Sequence, residues 1–109
     1  MVYHQELSSD RWSELTLAEQ LGNIGSEVNR MVNWRVKNRV IADRAFERML
    51  ELIDLTLTNL HDKYRLREIA RARELLVSNW LVPVPESNIE LSQLNKYFFQ
   101  FALLAKSRN

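Results

Sequence analysis

The chain has 109 residues, 46% of them hydrophobic and 27% charged, and its 15 basic and 14 acidic side chains leave a net charge of +1. This length predicts one domain with one modest core, and the near-neutral charge disfavours a protein whose whole surface binds nucleic acid. The absence of cysteine excludes disulfides, thiolate metal sites and cysteine nucleophiles, while the short apolar runs and polar first residues predict a cytoplasmic protein without a membrane span.

The N-terminal third of the chain predicts an arm followed by a helix. Residues 1–14 lack apolar periodicity and predict a loosely ordered arm, with a bundle domain over residues 15–109. Thr16 and Glu19 have the spacing of a capping box, and apolar residues follow at steps of three and four. We therefore expect the first helix over about residues 16–37.

Both glycines of the chain, Gly22 and Gly25, lie inside this predicted helix, where each costs about 1 kcal/mol relative to alanine. Ala18, Gly22 and Ser26 recur at every fourth position with Gly25 beside them, so a neighbouring helix can approach closely. This groove can also form one half of a subunit contact. The alternatives are a turn that splits the helix and a G-x-x-G phosphate-binding loop of the KH type, a domain that needs a sheet.

The rest of the chain also predicts helices, because apolar residues keep their helical spacing and no segment alternates with the period of a strand. Pro83 and Pro85 end the third helix, and Ser87 and Asn88 can cap the fourth. These helices are expected over about residues 40–60, 64–80 and 89–106. The predicted fold is all-α, an antiparallel four-helix bundle with up-down-up-down topology.

No constellation of residues predicts catalysis, a cofactor or a small-molecule substrate. Helical di-metal sites need glutamate three residues before histidine, and neither His4 nor His61 has one. No P-loop and no G-x-S-x-G motif is present. We therefore expect a protein that is not an enzyme and that carries no metal site.

Two clusters of basic residues predict an RNA or DNA surface. One surrounds Trp34, whose ring offers a stacking platform beside phosphate contacts, and the other lies in the third helix. The alternative is a set of ordinary solvated faces in which Glu47, Glu68 and Glu74 pair with nearby arginines. The candidate binding residues are Arg30, Trp34, Arg35, Lys37, Arg39, Lys63, Arg67 and Arg71.

Arg73 occupies a position on the apolar seam of the third helix, where an unpaired guanidinium would be costly to bury. We expect a buried ion pair within the bundle, with Glu27, Glu51 or Asp54 as its partner. Partial exposure of the arginine and a role in binding a ligand are the alternatives.

Three stretches carry a resemblance to a known family. The segment NIGSEVNR, then Trp34, then AFERMLELIDLTL resembles a family of short, uncharacterised prokaryotic helical proteins over most of the chain. More distantly, the chain is similar to the intervening-sequence four-helix-bundle family, which it matches at Leu15, Thr16, Gln20, Asn23 and Ile24. That resemblance implies an antiparallel bundle, ring-like homo-oligomers and, in a retroelement-associated branch, a basic surface that binds nucleic acid.

The function predicted from these observations is a non-enzymatic interaction or scaffold protein that forms a homo-oligomer. Tyr97, Phe98, Phe99 and Phe101 are too closely spaced for one helix to bury them all against a single neighbour. One alternative is an accessory nucleic-acid-binding protein that uses residues 30–39 and 63–73. Another is a helical partner subunit of a separately encoded enzyme.

Overall fold

The computed structural model describes residues 9–83 and 88–107. These residues contain five helices and no strand, so the all-helical class is confirmed, with one helix more than predicted. The radius of gyration of 13.6 Å is that of a compact globule of this length. The helices are α1 (Ser9–Ser13), α2 (Leu17–Trp34), α3 (Arg39–Asn59), α4 (Lys63–Trp80) and α5 (Asn88–Ser107).

Helix α1 lies within the segment for which the sequence predicts an arm. Its Trp12 is fully buried, and the indole N–H donates to Oγ1 of Thr56 on α3 at 2.9 Å. The side chain of Gln20 then donates to the Trp12 carbonyl at 2.9 Å, which ties α1 to α2. Residues 9–13 therefore belong to the packed globule, unlike the predicted arm, whose first eight residues lie outside the described part of the chain.

Local capping determines where the long helices begin. The predicted capping box is present at α2: Thr16 accepts from the Glu19 N–H at 3.1 Å, and the Glu19 carboxylate accepts from the Thr16 N–H at 2.8 Å. Asn38 caps α3 and Asp62 caps α4 through their side-chain oxygens. Because Asn38 starts a new helix in extended geometry, α2 ends at Trp34, three residues before the predicted end.

Helix α2 lies between α3 and α5 and supplies the centre of the core. Its apolar seam is buried from Leu21 to Met31, as the periodicity predicts, and is partly buried at Leu17. Helix α4 completes the core against α3 and α5. The fully buried hydrophobic side chains are Trp12, Leu21, Ile24, Val28, Met31, Ala42, Met49, Ile53, Ile69, Leu76 and Phe98.

Helix α5 packs against the glycine stretch of α2. A Cβ atom built on Gly25 would lie 2.9 Å from the Cβ of Phe98, and one built on Gly22 would lie 3.1 Å from the Cα of Ala102. Helix α2 runs unbroken through both glycines. The turn and the KH-type loop are therefore wrong, and α5 is the helix that makes the close approach.

We expect Gly25→Ala to destabilise the protein. The added methyl group meets Phe98 next to its backbone, where neither helix yields easily. Overpacking of this kind costs about 1–3 kcal/mol, more than the roughly 1 kcal/mol that alanine gains as a helix former. Urea unfolding followed by circular dichroism measures the difference, and Gly22→Ala, with its longer contact, should lose less.

The matched control for this substitution is Asn23→Ala, one position from Gly22 on the exposed side of α2. Alanine there has open space and should leave the free energy of unfolding unchanged or slightly higher. A Gly25→Ala protein as stable as the Asn23→Ala protein would contradict the packing argument.

Candidate interaction surfaces

A groove of about 230 Å³ runs along the surface where α2 and α5 meet. Gly22 and Gly25 line this groove, and Phe99, 58% exposed, forms one wall. The amide of Asn95 donates to the Oδ1 of Asn29 at 3.2 Å across the two helices. None of the lining residues is charged: they are Gly22, Gly25, Ser26, Asn29, Asn95, Phe99 and Ala102.

The surface around this groove is poor in charge compared with the rest of the described protein. From Gly22 onward, Arg30 is the one charged residue among the exposed positions of α2, which otherwise carry Asn23, Ser26, Asn29, Asn33 and Trp34. Exposed positions of α3 and α4 are mostly arginine, lysine, glutamate or aspartate. On α5, Leu103 is exposed one turn beyond Phe99 and extends the apolar surface.

Arg35, predicted as a nucleic-acid contact, is buried and holds the end of α4. Its Nη2 donates to the carbonyls of Asn79 at 3.3 Å and Trp80 at 3.0 Å, and also to that of Val82. The last carbonyls of a helix lack partners within it and carry partial negative charge, so a guanidinium is well placed there. Burial, and then the nearby charge of Arg39, lower the pKa of Arg35. Arg35 is therefore a structural cap, and its predicted role at an exposed surface is wrong.

Trp80 is the centre of the same cluster. Phe46 stacks on its ring at 5.4 Å between centroids, while the guanidinium carbons of Arg35 and Arg39 lie 4.7 and 4.4 Å from the ring centroid. The indole N–H donates to Asp43 at 3.2 Å, and Asp43 also accepts from Arg39 at 3.0 Å. Arg39 is thus half exposed but already engaged by an aromatic face and a carboxylate.

Lys37 and Lys63, one from each predicted basic cluster, lie at opposite ends of α3. Lys37 precedes α3 and Lys63 follows it, and this helix of 21 residues is about 30 Å long. Arg71 pairs with Glu74 at 3.4 Å, in agreement with the interpretation as a solvated face. Lys37, Lys63 and Arg67 are exposed, and Trp34 is 39% exposed.

Arg30 belongs to a different group of basic residues, which the sequence reasoning missed. It lines a pocket of about 230 Å³ between α2 and α3 together with Ile41, Arg44, Ala45 and Arg48. Arg44 and Arg48 are one helical turn apart, so this spacing was the signal that could have found them. The pocket therefore joins basic side chains from two helices.

Arg73 pairs with Asp54 of α3, one of its three predicted partners. Its Nε donates to Oδ1 at 2.8 Å and its Nη2 to Oδ2 at 3.4 Å, a two-point contact. The arginine side chain is 36% exposed and the carboxylate 56%, so the predicted burial of the pair is wrong. The seam reaches the surface at this position, and the long side chain extends to solvent.

Tyr97 joins α5 to α4, a contact that the sequence reasoning did not identify. Its hydroxyl donates to Oε1 of Glu68 at 2.6 Å, and the same oxygen accepts from Arg65 at 3.0 Å. Burial, and then the hydrogen bond to Glu68, raise the pKa of the Tyr97 phenol. The protonated hydroxyl is therefore part of the folded structure.

Within residues 9–83 and 88–107, no three histidine or carboxylate side chains are grouped as metal ligands. His61 lies exposed in the short connection between α3 and α4, and His4 lies outside the described residues. None of the described helices is long and apolar enough to cross a membrane.

We expect Arg35→Met to lower the free energy of unfolding by about 2–3 kcal/mol. The substitution keeps an apolar stem but leaves several carbonyls at the end of α4 without their charged donor. Arg35→Lys should recover only part of the loss, because an ammonium lacks the planar fork. The control is Lys37→Met, at an exposed residue two positions away. It should change the free energy of unfolding by less than about 0.5 kcal/mol in the same urea titration.

Alkaline conditions should reduce the stability that Tyr97 contributes. Because its pKa is raised in the folded state, the unfolded chain ionises first, from about pH 10. The Tyr97 contribution is thus complete below pH of about 10 and decreases as the pH rises further. Urea unfolding from pH 8 to 11 measures this contribution. The free energy of unfolding of the wild type should exceed that of Tyr97→Phe below about pH 10, and the difference should shrink above that pH. Tyr64→Phe, at an exposed tyrosine of α4, is the control, and an advantage that stays constant would contradict the assignment.

Comparisons of the chain with protein-family models, with curated proteins and with solved structures gave no match. The resemblance to the prokaryotic helical families therefore stays a prediction.

Proposed function

We propose that this protein is a non-enzymatic interaction module that associates with a second copy of itself through the groove between α2 and α5. The observation that carries the proposal is Phe99, a large aromatic side chain 58% exposed at the edge of an uncharged groove. An apolar side chain beside a concave surface is typical of interfaces between proteins.

A second copy fits this face because the face contains both a projection and a recess. In a two-fold interface the same patch meets itself, so Phe99 of one protomer can enter the glycine-floored recess of its partner and the reverse. The recess of about 230 Å³ exceeds the roughly 150 Å³ of an apolar cavity that accepts a benzene ring. The recess is therefore large enough for the Phe99 ring of a second copy.

The charge distribution supports the same occupant. Like charges that meet across a two-fold axis repel each other, and interface centres are depleted of charged residues. The groove residues are uncharged, whereas α3 and α4 carry most of the exposed charge of the described helices. Burial of a fully exposed phenylalanine side chain contributes about 1.5–3 kcal/mol to the free energy of association. In a two-fold dimer each such contact occurs twice.

The proposed frame for this surface is an antiparallel up-down-up-down arrangement of α2 to α5, with α1 added at one side. Contacts between Asp54 and Arg73 and between Asp43 and Trp80 support opposite directions for α3 and α4. The approaches of Gly22 to Ala102 and of Gly25 to Phe98 support opposite directions for α2 and α5.

Sedimentation equilibrium over a range of protein concentrations tests the proposal. We expect a species of twice the 12.9 kDa chain mass that dissociates on dilution. Phe99→Glu should raise the dissociation constant of the dimer at least about tenfold, because it places a charge in the uncharged groove. Its circular dichroism spectrum should match that of the wild type.

The control is Tyr64→Glu, which introduces the same charge at an exposed aromatic residue of α4, away from the groove. That protein should dimerise like the wild type. A wild-type chain that stays monomeric at about 1 mM, the scale of weak association, would overturn the proposal. A dimer equally weakened by both substitutions would place the contact elsewhere.

A further inference from the structure

The pocket between α2 and α3 brings three arginines together on a small apolar floor. Arg30 comes from α2, Arg44 and Arg48 come from α3, and Ile41 and Ala45 form the floor. Like charges on adjacent side chains repel each other, so this convergence favours binding of an anion.

Most other arginines of the described chain already have a carboxylate. Arg39, Arg65, Arg71 and Arg73 each lie within 3.4 Å of a carboxylate oxygen. At Arg30 and Arg44, no ion pair occurs within residues 9–83 and 88–107. The pocket thus contains two guanidinium groups that no carboxylate pairs with among the described residues.

Glu27 forms an ion pair with one of the three arginines of this pocket. Its Oε2 is 3.9 Å from Nε of Arg48, and its side chain is largely buried. This ion pair involves Arg48, so the positive charges of Arg30 and Arg44 remain in the pocket.

An exposed aromatic side chain lies one helical turn from Arg30 on α2. Trp34 follows Arg30 by one helical turn, so the two side chains share a face of α2. Trp34 is 39% exposed, whereas Trp12 and Trp80 are buried in the core. A guanidinium cluster beside an exposed indole is the combination that binds a phosphate and stacks the attached base.

We propose that this pocket binds the phosphate of a nucleotide, with Arg30 and Arg44 as the phosphate contacts and Trp34 as the stacking face for the base. The same chemistry serves a free nucleotide and a nucleotide within a single-stranded nucleic acid. The site differs from the predicted nucleic-acid surface, because it contains Arg44 and Arg48 and excludes the capping residue Arg35. It shares no lining residue with the groove proposed for self-association.

Quenching of tryptophan fluorescence tests the site, since Trp34 is the exposed tryptophan of the chain. The probes are adenosine, adenosine monophosphate and a single-stranded oligoadenylate RNA of about ten nucleotides, each at about 50 and 200 mM salt. We expect quenching by the two phosphate-bearing probes, none by adenosine, and weaker binding at the higher salt. If the RNA binds more tightly than the mononucleotide, the source of the phosphate is a nucleic-acid strand. If the two bind equally well, the source is a free nucleotide.

Charge reversal identifies the pocket. Arg30→Glu and Arg44→Glu should each weaken binding at least about tenfold, whereas the matched control Arg67→Glu, at an exposed arginine of α4, should bind like the wild type. Circular dichroism confirms that each variant is folded. Phe99→Glu should bind the probes unchanged, which separates this site from self-association.

Three results would overturn the proposal. They are absence of quenching by both phosphate-bearing probes at the lower salt, adenosine binding as well as its monophosphate, and an Arg67→Glu protein as impaired as Arg44→Glu. The first excludes the site, the second excludes the phosphate contacts, and the third excludes this pocket as their location.

Discussion

The close approach of α5 to α2 is the contact on which the rest of the structure depends. Gly22 and Gly25 remove two side chains from α2, and the backbone of α5 around Phe98 and Ala102 occupies their space. The apolar seam of α2 can then face α3 while its glycine face meets α5. The cost of two glycines in a helix is offset by apolar burial on both sides.

A second constraint operates at the C-terminal end of α4, where Arg35 adds side-chain hydrogen bonds to the backbone cap at Leu81. Arg35 lies in the short connection between α2 and α3, and its guanidinium binds carbonyls of residues 44 to 47 positions later. Trp80 is held at the same point by Phe46 and Asp43 of α3. Three helices are therefore joined by one cluster, and the arginine-rich stretch that follows α2 has a structural purpose.

The sequence predicts local features well because they depend on neighbouring residues. The capping box at Thr16, the seam of α2 and the glycine face all follow from spacing along one helix. Spacing cannot say which helix covers the glycines, since that depends on how α5 folds back. Trp12 illustrates the same limit: it is a lone aromatic residue in a polar stretch, and only its contact with Thr56 reveals it as core.

The candidate surfaces are also only partly predictable from the sequence. Basic residues near Trp34 are visible in the sequence, but their roles are decided by partners distant in the chain: Arg35 meets the end of α4, and Arg30 meets Arg44 across a helix pair. The spacing of the four aromatic residues in α5 predicts that one neighbouring helix cannot bury them all. Only the packing distinguishes Phe98, which is buried, from Phe99, which is exposed.

The contact between α2 and α5 joins segments that leave the ribosome far apart in time. Phe98 is added 73 residues after Gly25, so α3 and α4 are synthesised while the glycine face of α2 is still uncovered. Domains fold as units during synthesis, with their N-terminal segments emerging first. The nascent chain therefore has its α2–α3 pair available early, and closure of the globule waits for the last helix.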